Sequence, residues 1–389
     1  MTAGNDTVLK GRDIICISTS DWNRPWGSKQ QLMKRLSLSN RVLYVEYQAS
    51  FLHFSLFSRY KGLRESLRKV GENLYVFTPR LSLPFGYYFR SLNKINQRIM
   101  AHSLKKIIKD LGFGRSILWI YPPCAVDLIG RLDEKLVLYH CAADFPNEKK
   151  NRLRKKTILS MEEELIKKSD IVLTLTEALY KKHRHINGST FLFPSAVDEN
   201  LFSPHLYADV DEPEDIAGLK RPRIGMVGYL DGRVLDVDLL CDIADQHPEW
   251  SVILIGPKFR YVSRLNRLSR KNNIYFLNEK DNNEVPVYIK SLDVCIIPYL
   301  VNKFTNNVSP LKLFEYMALG KPIVATGLAD LRIFEDTVSV SRKEDFVKNI
   351  SLSLLEKDER LVDKRLELAK KNSWDERLRV VAQLIEERL

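Results

Sequence analysis

A lysine and a glutamate three residues apart, Lys312 and Glu315, are the side chains whose spacing points most directly to chemistry. They lie in the string Asn306-Asn307-Val308-Ser309-Pro310-Leu311-Lys312-Leu313-Phe314-Glu315-Tyr316-Met317-Ala318-Leu319-Gly320-Lys321-Pro322. Ser309 suits an N-cap, and Pro310 suits the first helical position, where its missing N–H costs nothing. Gly320 suits the position just past the helix, and Pro322 prevents continuation. The string predicts a short helix starting at Ser309, with free amides and a positive dipole end that favour an anion. Lys312 and Glu315 share one face of it. A cation in the first turn can neutralise phosphate, and a carboxylate one turn deeper can accept both hydroxyls of a ribose. The same spacing also suits an i,i+3 ion pair on a helix that only packs.

Metal chemistry has weaker support. Two Asp-Val-Asp strings, Asp209–Asp211 and Asp236–Asp238, have the form of a divalent-cation site. The first falls in an acidic stretch and the second opens a predicted helix, so neither follows a hydrophobic strand. The five cysteines, Cys16, Cys124, Cys141, Cys241 and Cys295, are scattered and show no CxxC spacing. They read as buried thiols of a reducing compartment, not as a disulfide or zinc framework. No metal and no cofactor are expected.

The elements that must position these residues alternate short apolar runs with helical periodicity, the mark of βαβ units and a mainly parallel sheet. Strands are predicted at 13–17, 41–46, 74–78, 116–121, 136–139, 171–174 and 190–193, with helices at 30–37, 92–111 and 151–168. The stretch from His205 to Gly218 holds Asp209, Asp211, Glu212, Glu214 and Asp215 without a periodic apolar face, and reads as a linker. The alternation then restarts, with strands at 223–227, 251–255, 274–276, 294–298 and 322–325 and helices near 236–246, 285–291 and 310–319. A helical tail runs over 344–389, its last segment opening on the capping box Ser373-Trp374-Asp375-Glu376. At 389 residues the chain suits two α/β domains. The division is an N-terminal Rossmann-like domain at 1–204, a linker at 205–220 and a C-terminal Rossmann-like domain at 221–372. A final helix at 373–389 is free to cross back to the first domain.

Charge is unevenly shared. Up to Asn200 there are 33 Lys and Arg against 19 Asp and Glu, and beyond it 28 against 30. The excess is densest at Arg59–Lys69, at Arg90–Lys109 with Arg98, Lys105 and Lys106, and at Lys149–Lys156. Phe51, Phe54, Phe57 and Tyr60, then Tyr87, Tyr88, Phe89, Ile95 and Ile99, interleave with the first two runs. Such basic amphipathic stretches suit an anionic membrane surface or a solvated helix face. No zinc-finger spacing or RNP motif supports nucleic acid. No apolar stretch approaches the roughly 20 residues needed to span a bilayer, and the N-terminus lacks an apolar signal core. The expectation is a cytoplasmic protein, free or peripheral on the inner face of the membrane.

The Asn306–Pro322 string resembles the donor-binding helix of retaining GT-B glycosyltransferases, family 4 and its neighbours, whose pattern is P-x-K-x-x-E-Y-x-A-x-G-K-P-V-V. Other segments are similar to that family in the same order: Ile224-Gly225-Met226-Val227-Gly228-Tyr229-Leu230, Ser251 to Pro257, Asn273 to Asn278, and Val285 to Tyr299. In the first half, Arg24-Pro25-Trp26, Val42 to Glu46, Tyr139-His140-Cys141-Ala142-Ala143-Asp144 and Phe193 to Asp198 resemble teichuronic-acid and exopolysaccharide transferases. The resemblance covers nearly the whole chain. It implies two Rossmann-like domains facing each other across a cleft. The implied activity is metal-independent transfer of a sugar, hexosyl in type, from a nucleotide-sugar donor to a glycan or lipid-linked acceptor.

The resemblance implies Lys312 at the diphosphate, Glu315 at the ribose, and Gly228 where backbone approaches the diphosphate. Ser309, Pro310 and Leu311 would supply the helix start, and Asn278 the end of the base-reading strand. Arg233 and Lys258 are further diphosphate candidates, each also readable as a surface cation. Many relatives carry a glutamate eight positions before the helix glutamate; here Asn307 stands there, an amide without a charged acceptor. On the acceptor side, Trp22, Arg24 and Trp26 are expected to meet sugar rings, and His140 with Asp144 to assist acceptor deprotonation. Alternatives are a GT-B sugar-nucleotide epimerase and a non-catalytic scaffold in a polysaccharide assembly complex. A nicotinamide oxidoreductase fails, because the loop Ser18 to Asn23 lacks a G-x-G-x-x-G turn.

Overall fold

Runs such as Ile-Ile-Cys-Ile and Ser-Ile-Leu-Trp-Ile are apolar at nearly every position, as strands buried on both faces of a parallel sheet must be. The computed structural model describes residues 9–23, 26–51, 65–147 and 151–389, and it divides into two compact units. Arg24, Lys149 and the Phe54, Phe57 and Tyr60 of the first basic run lie outside the described residues.

Unit 1 spans residues 1–194 and 375–389. Its strands are β1 (Asp13–Ile17), β2 (Arg41–Val45), β3 (Ser66–Lys69), β4 (Leu74–Thr78), β5 (Ser116–Ile120), β6 (Glu134–Cys141), β7 (Ile171–Thr174) and β8 (Thr190–Leu192). Helices α1 (Ser28–Leu36), α2 (Arg90–Asp110), α3 (Arg152–Lys168) and α4 (Glu177–Arg184) lie between them. The strand order is β3-β4-β2-β1-β5-β6-β7-β8, parallel throughout except for the antiparallel β3–β4 pair. The order reverses direction at β1, which pairs β2 on one side and β5 on the other. Ligands of doubly wound sheets bind at the carboxyl ends of strands beside such a switch point. Strand β3, Ser-Leu-Arg-Lys, was absent from the predicted strands. It is a mostly exposed edge strand, so it carries no apolar signal. Helix α4 was also missed; Thr176 caps it by accepting from the Leu179 amide.

Unit 2 spans residues 195–374. It holds α5 (Glu214–Ala217), β9 (Arg223–Val227), α6 (Val237–Gln246), β10 (Ser251–Ile255), α7 (Val262–Leu265), β11 (Ile274–Leu277) and α8 (Val285–Lys290). These are followed by β12 (Val294–Ile297), α9 (Leu311–Ala318), β13 (Ile323–Thr326), β14 (Ser339–Ser341), α10 (Phe346–Leu354) and α11 (Glu359–Lys371). The order is β11-β10-β9-β12-β13-β14, every pair being parallel. Its switch point lies between β9 and β12. The core runs from Ile224 and Val252 through Ile296 to Phe314, Met317 and Phe346.

The segment read as a linker is part of unit 2. Ile216 is buried in the unit 2 core. Asp215 accepts from the Tyr288 hydroxyl at 2.7 Å and pairs with Lys280 at 2.5 Å. Glu212 holds the buried Arg223 at 2.8 Å. The acidic run supplies ion-pair partners for Arg223 at the start of β9 and for Lys280 far along the chain, which a reading of periodicity does not see. The last helix, α12 (Trp374–Glu386), turns Leu378, Val381, Ala382 and Ile385 inward and clusters with unit 1 from Asp375 onward. Arg35–Asp375 and Arg12–Glu386, both at 2.9 Å, tie it there.

Candidate functional site

The carboxyl end of β9 runs into Gly228 at φ 123°, and that of β10 into Gly256 at φ 132°. The two turns touch: a Cβ added to Gly256 would stand 2.3 Å from the Gly228 carbonyl oxygen. Only glycine allows this approach at these angles. Lys312, from the first turn of α9, is buried and extends its ammonium to the same place. Its Nζ donates to the Tyr299 hydroxyl at 2.8 Å, and a Cβ on Gly228 would lie 3.2 Å from that nitrogen. Tyr299 follows β12 by two residues. A buried cation therefore sits over the switch point, between the ends of β9 and β12. One turn on, Glu315 is half-buried and has no hydrogen-bond partner among the described residues. Burial pushes its carboxyl up to about 7, against the opposing pull of Lys312.

The start of α9 differs from the expected cap. The helix begins at Leu311 with Pro310 in the cap position, φ −69° and ψ 119°, and no side chain caps it. Ser309 turns instead to Ser195, whose hydroxyl donates to the Ser309 carbonyl at 2.8 Å. The first-turn amides of Leu311 and Lys312 thus have no intrahelical acceptor. At the other end Gly320 takes φ 66°. Its amide bonds the Met317 carbonyl, and the Lys321 amide bonds that of Tyr316, the paired bonds of a Schellman stop.

The remaining donor-side residues are placed less favourably. Arg233 is held by Asp231 at 2.8 Å and lies over the Phe304 ring at 5.3 Å, so its charge is already matched. Lys258 rests on the Phe276 ring at 4.0 Å. Asn278 is exposed just past β11. Asn307 donates its amide to the Lys303 carbonyl at 3.0 Å. Beside it, Asn306 leaves a buried side-chain oxygen without a partner. Tyr299 and Asp231 were not among the sequence candidates. Tyr299's place just beyond a predicted strand end was the available signal.

On the acceptor side, Trp22 is buried and not an open stacking platform. Its ring meets Tyr44 edge-on at 5.0 Å and Trp26 at 5.8 Å, and its amide donates to Glu46 at 2.9 Å. Trp26 is half-buried beneath Lys34, at 4.9 Å. His140, 1 % exposed, stacks on Tyr121 at 4.7 Å and meets Phe193 edge-on at 5.2 Å. Its Nδ1 has no partner. Burial, with Lys29 nearby, pushes its pKa down to about 3. A general base works best with a pKa near the operating pH, so this ring is a packing element and does not suit the expected role. Asp144 is buried and accepts from the Asn147 amide at 2.6 Å. A cavity of about 280 Å³ opens at the carboxyl ends of β1 and β5, lined by Glu46, Tyr87, Tyr88, Asn93, Asn96 and Arg154 among others. Arg154 lies over Tyr87 at 5.0 Å. None of these six was singled out as a site residue from sequence, because they come from distant segments.

Comparison with known proteins bears on the family and the fold. Residues 221–355 match the family described as Glycosyl transferases group 1. The "Putative teichuronic acid biosynthesis glycosyltransferase TuaH" of Bacillus subtilis (strain 168) is 28% identical over 183 residues, covering 46% of this chain and 45% of that protein. The match thus spans less than half of that relative. Among solved structures, sucrose-phosphate synthase from Thermosynechococcus elongatus superposes with a TM-score of 0.70 at 17% identity, covering 97% of this chain and 98% of that one. The UDP-forming alpha,alpha-trehalose-phosphate synthase from Burkholderia vietnamiensis gives 0.66 at 14%, covering 96% and 97%. Anabaena HepE in complex with UDP and glucose gives 0.64 at 14%, covering 97% and 100%. At these identities the likeness establishes the fold, two Rossmann-like units of the GT-B type. Residues 221–355 are accordingly a Glycosyl transferases group 1 domain, carried in a chain of GT-B fold.

Proposed function

We propose that this protein is a glycosyltransferase that moves a sugar from a nucleotide-sugar donor, UDP-linked, onto a glycan or lipid-linked glycan acceptor in cell-surface polysaccharide assembly. The observation that carries the reading is the buried Lys312 ammonium set against Gly228, with the unpartnered Glu315 one turn further along α9. The diphosphate takes the place over Gly228, where Lys312 and the first amides of α9 meet its charge. Glu315 accepts the ribose hydroxyls. As the bond from the anomeric carbon to the diphosphate oxygen breaks, the same groups stabilise the leaving diphosphate, so no metal is needed. The configuration is retained, and the departing phosphate takes the proton of the acceptor hydroxyl. This assignment leaves His140 out of the proton transfer, consistent with its burial.

Two of the similar structures name UDP in their titles and the curated relative names teichuronic acid, which supports a UDP donor and a cell-surface product. The unit 1 cavity, with its tyrosines, amides and Arg154, suits the acceptor. Among the described residues no helix is long and apolar enough to cross a membrane. The outer face of α2 exposes Lys94, Arg98, Lys105, Lys106 and Lys109 together with Ile95 and Ile99, and Phe85 and Phe89 stand exposed just before it. This face supports docking on an anionic membrane surface.

The test is thermal-shift screening against UDP, GDP, ADP and their sugars, with and without magnesium, followed by a product assay. A ligand at a hundred times its dissociation constant stabilises by about 2.7 kcal/mol. A shift with a uridine nucleotide, unchanged by magnesium, and release of UDP with a lengthened acceptor are expected. No shift with any nucleotide would sink the donor site. Binding without turnover would leave a scaffold, the reading that Asn307 favours.

A further inference from the structure

Away from the donor site, three side chains with metal-binding atoms converge inside unit 1. Cys141 ends β6, Glu162 comes from α3 and His183 from α4. A sulfur, a carboxylate oxygen and a ring nitrogen from them all lie within 4.8 Å of one another. Cys141 Sγ is 3.9 Å from Glu162 Oε1, and His183 Nε2 is 3.9 Å from Glu162 Oε2. Glu162 and His183 are 1 % and 0 % exposed. Neither ring nitrogen of His183 has a hydrogen-bond partner. A fully buried imidazole with both nitrogens unsatisfied is costly, and each such group calls for a partner.

We propose that Cys141, Glu162 and His183 form a structural site for a divalent transition-metal cation of the zinc type, independent of the donor site. Thiolate, imidazole and carboxylate are the donor set that zinc takes in tetrahedral sites. Ordinary zinc bond lengths in that geometry put sulfur and oxygen roughly 3.6 Å apart and nitrogen and oxygen roughly 3.4 Å apart. The two 3.9 Å separations run to different oxygens of Glu162, so both oxygens would bind and complete four donor atoms with Sγ and Nε2, the cluster closing from its 4.8 Å span as the cation enters. The thiolate and carboxylate would balance the dication. The Tyr139 hydroxyl, donating to Glu162 Oε1 at 2.9 Å, holds the carboxylate in position, as groups behind metal ligands do. Lys182, 3.6 Å from Glu162 Oε2 with its side chain 41% exposed, can swing into solvent as the cation enters. The bound ion would tie the end of β6 to α3 and α4. It plays no part in the sugar transfer, so the proposal stands or falls apart from the donor assignment.

The test uses the full chain, stripped with a chelator and titrated with cobalt(II), then zinc(II). One cobalt per chain is expected, with a sulfur-to-cobalt charge-transfer band and the strong visible absorption of tetrahedral cobalt. Cys141→Ser should abolish the charge-transfer band, and His183→Gln should weaken cobalt binding at least tenfold. Absence of the band from the unaltered chain, or its survival at full strength in Cys141→Ser, overturns the site. Because either variant can fail to fold, the melting temperature of the unaltered chain gives an independent reading. Zinc should raise it over the stripped form, and an unchanged value overturns the proposal.

Discussion

Lys312 and Gly228 face each other so closely that a methyl group on the glycine would stand 3.2 Å from the lysine Nζ. The glycine also holds φ at 123°, a value that costs an alanine of order 1–3 kcal/mol. Gly228→Ala should therefore do two things at once. It should lower the melting temperature, and it should weaken nucleotide binding at least tenfold by filling the space where the diphosphate would meet the ammonium. Calorimetric titration with UDP checks the second effect at a temperature where the variant is folded. Undiminished affinity would remove the diphosphate from this strand end.

Gly256→Ala should be the more destructive change. Its Cβ would fall 2.3 Å from a backbone oxygen, that of Gly228, at φ 132°. Backbone cannot swing aside as a side chain can, so unit 2 should lose at least about 3 kcal/mol. Urea unfolding followed by circular dichroism would read this directly, and a midpoint close to that of the unaltered chain would contradict the geometry.

Lys312→Ala and Glu315→Ala should each lower turnover about a hundredfold or more with the fold retained, as expected for loss of a preorganised charge contact. The assay is UDP release with acceptor, alongside far-UV circular dichroism. Near-normal rates in both variants would refute the site assignment.

Glu315 also predicts a pH dependence. Its carboxyl is pushed from an ordinary 4.5 to about 7. Between those values the folded state holds more protons than the unfolded state, so stability falls as pH rises through about 7. Glu315→Gln should abolish that slope: it should melt higher than the unaltered chain at mildly alkaline pH and alongside it near pH 4.5. Nucleotide affinity should move the opposite way, strengthening with pH through neutrality in the unaltered chain and staying flat in Glu315→Gln. Parallel melting curves for both proteins would show that the carboxyl is not held in its neutral form.

The α2 face predicts salt-sensitive binding to vesicles containing anionic lipid. Each surface lysine or arginine contributes about 1 kcal/mol near such a membrane, and the attraction is screened over about 10 Å at 0.1 M salt. Reversing Lys105 and Lys106 to glutamate should release the protein in a flotation assay at low salt. Binding that ignores both salt and charge reversal would discard the membrane surface as a partner.

Sequence periodicity determined the broad plan. Central strands such as β1, β5, β9 and β12 are apolar at almost every position, and α9 carries its start and stop within one string, so local patterns were enough to place them. Lys312 and Glu315 were legible for the same reason, because i,i+3 spacing on a helix is a local property. The cap at Ser309 was misplaced by one residue, since the hydroxyl that suits a cap locally is drawn to Ser195. Strand β3 escaped because an exposed edge strand shows no apolar run.

Tertiary structure alone decided what each polar side chain faces. Trp22 and His140 have the composition of a sugar site, yet the sheet encloses both among aromatic rings. The acidic stretch before β9 resembles a linker until Lys280, 65 residues on, pairs with Asp215 and the core closes over Ile216. Tyr299 acquires meaning only because β12 lies beside β9, and Cys141, Glu162 and His183 meet only once β6, α3 and α4 have packed. Helical and strand periods act over a few residues, whereas burial and the charge opposite a side chain are set by segments tens of residues away, which no local pattern encodes.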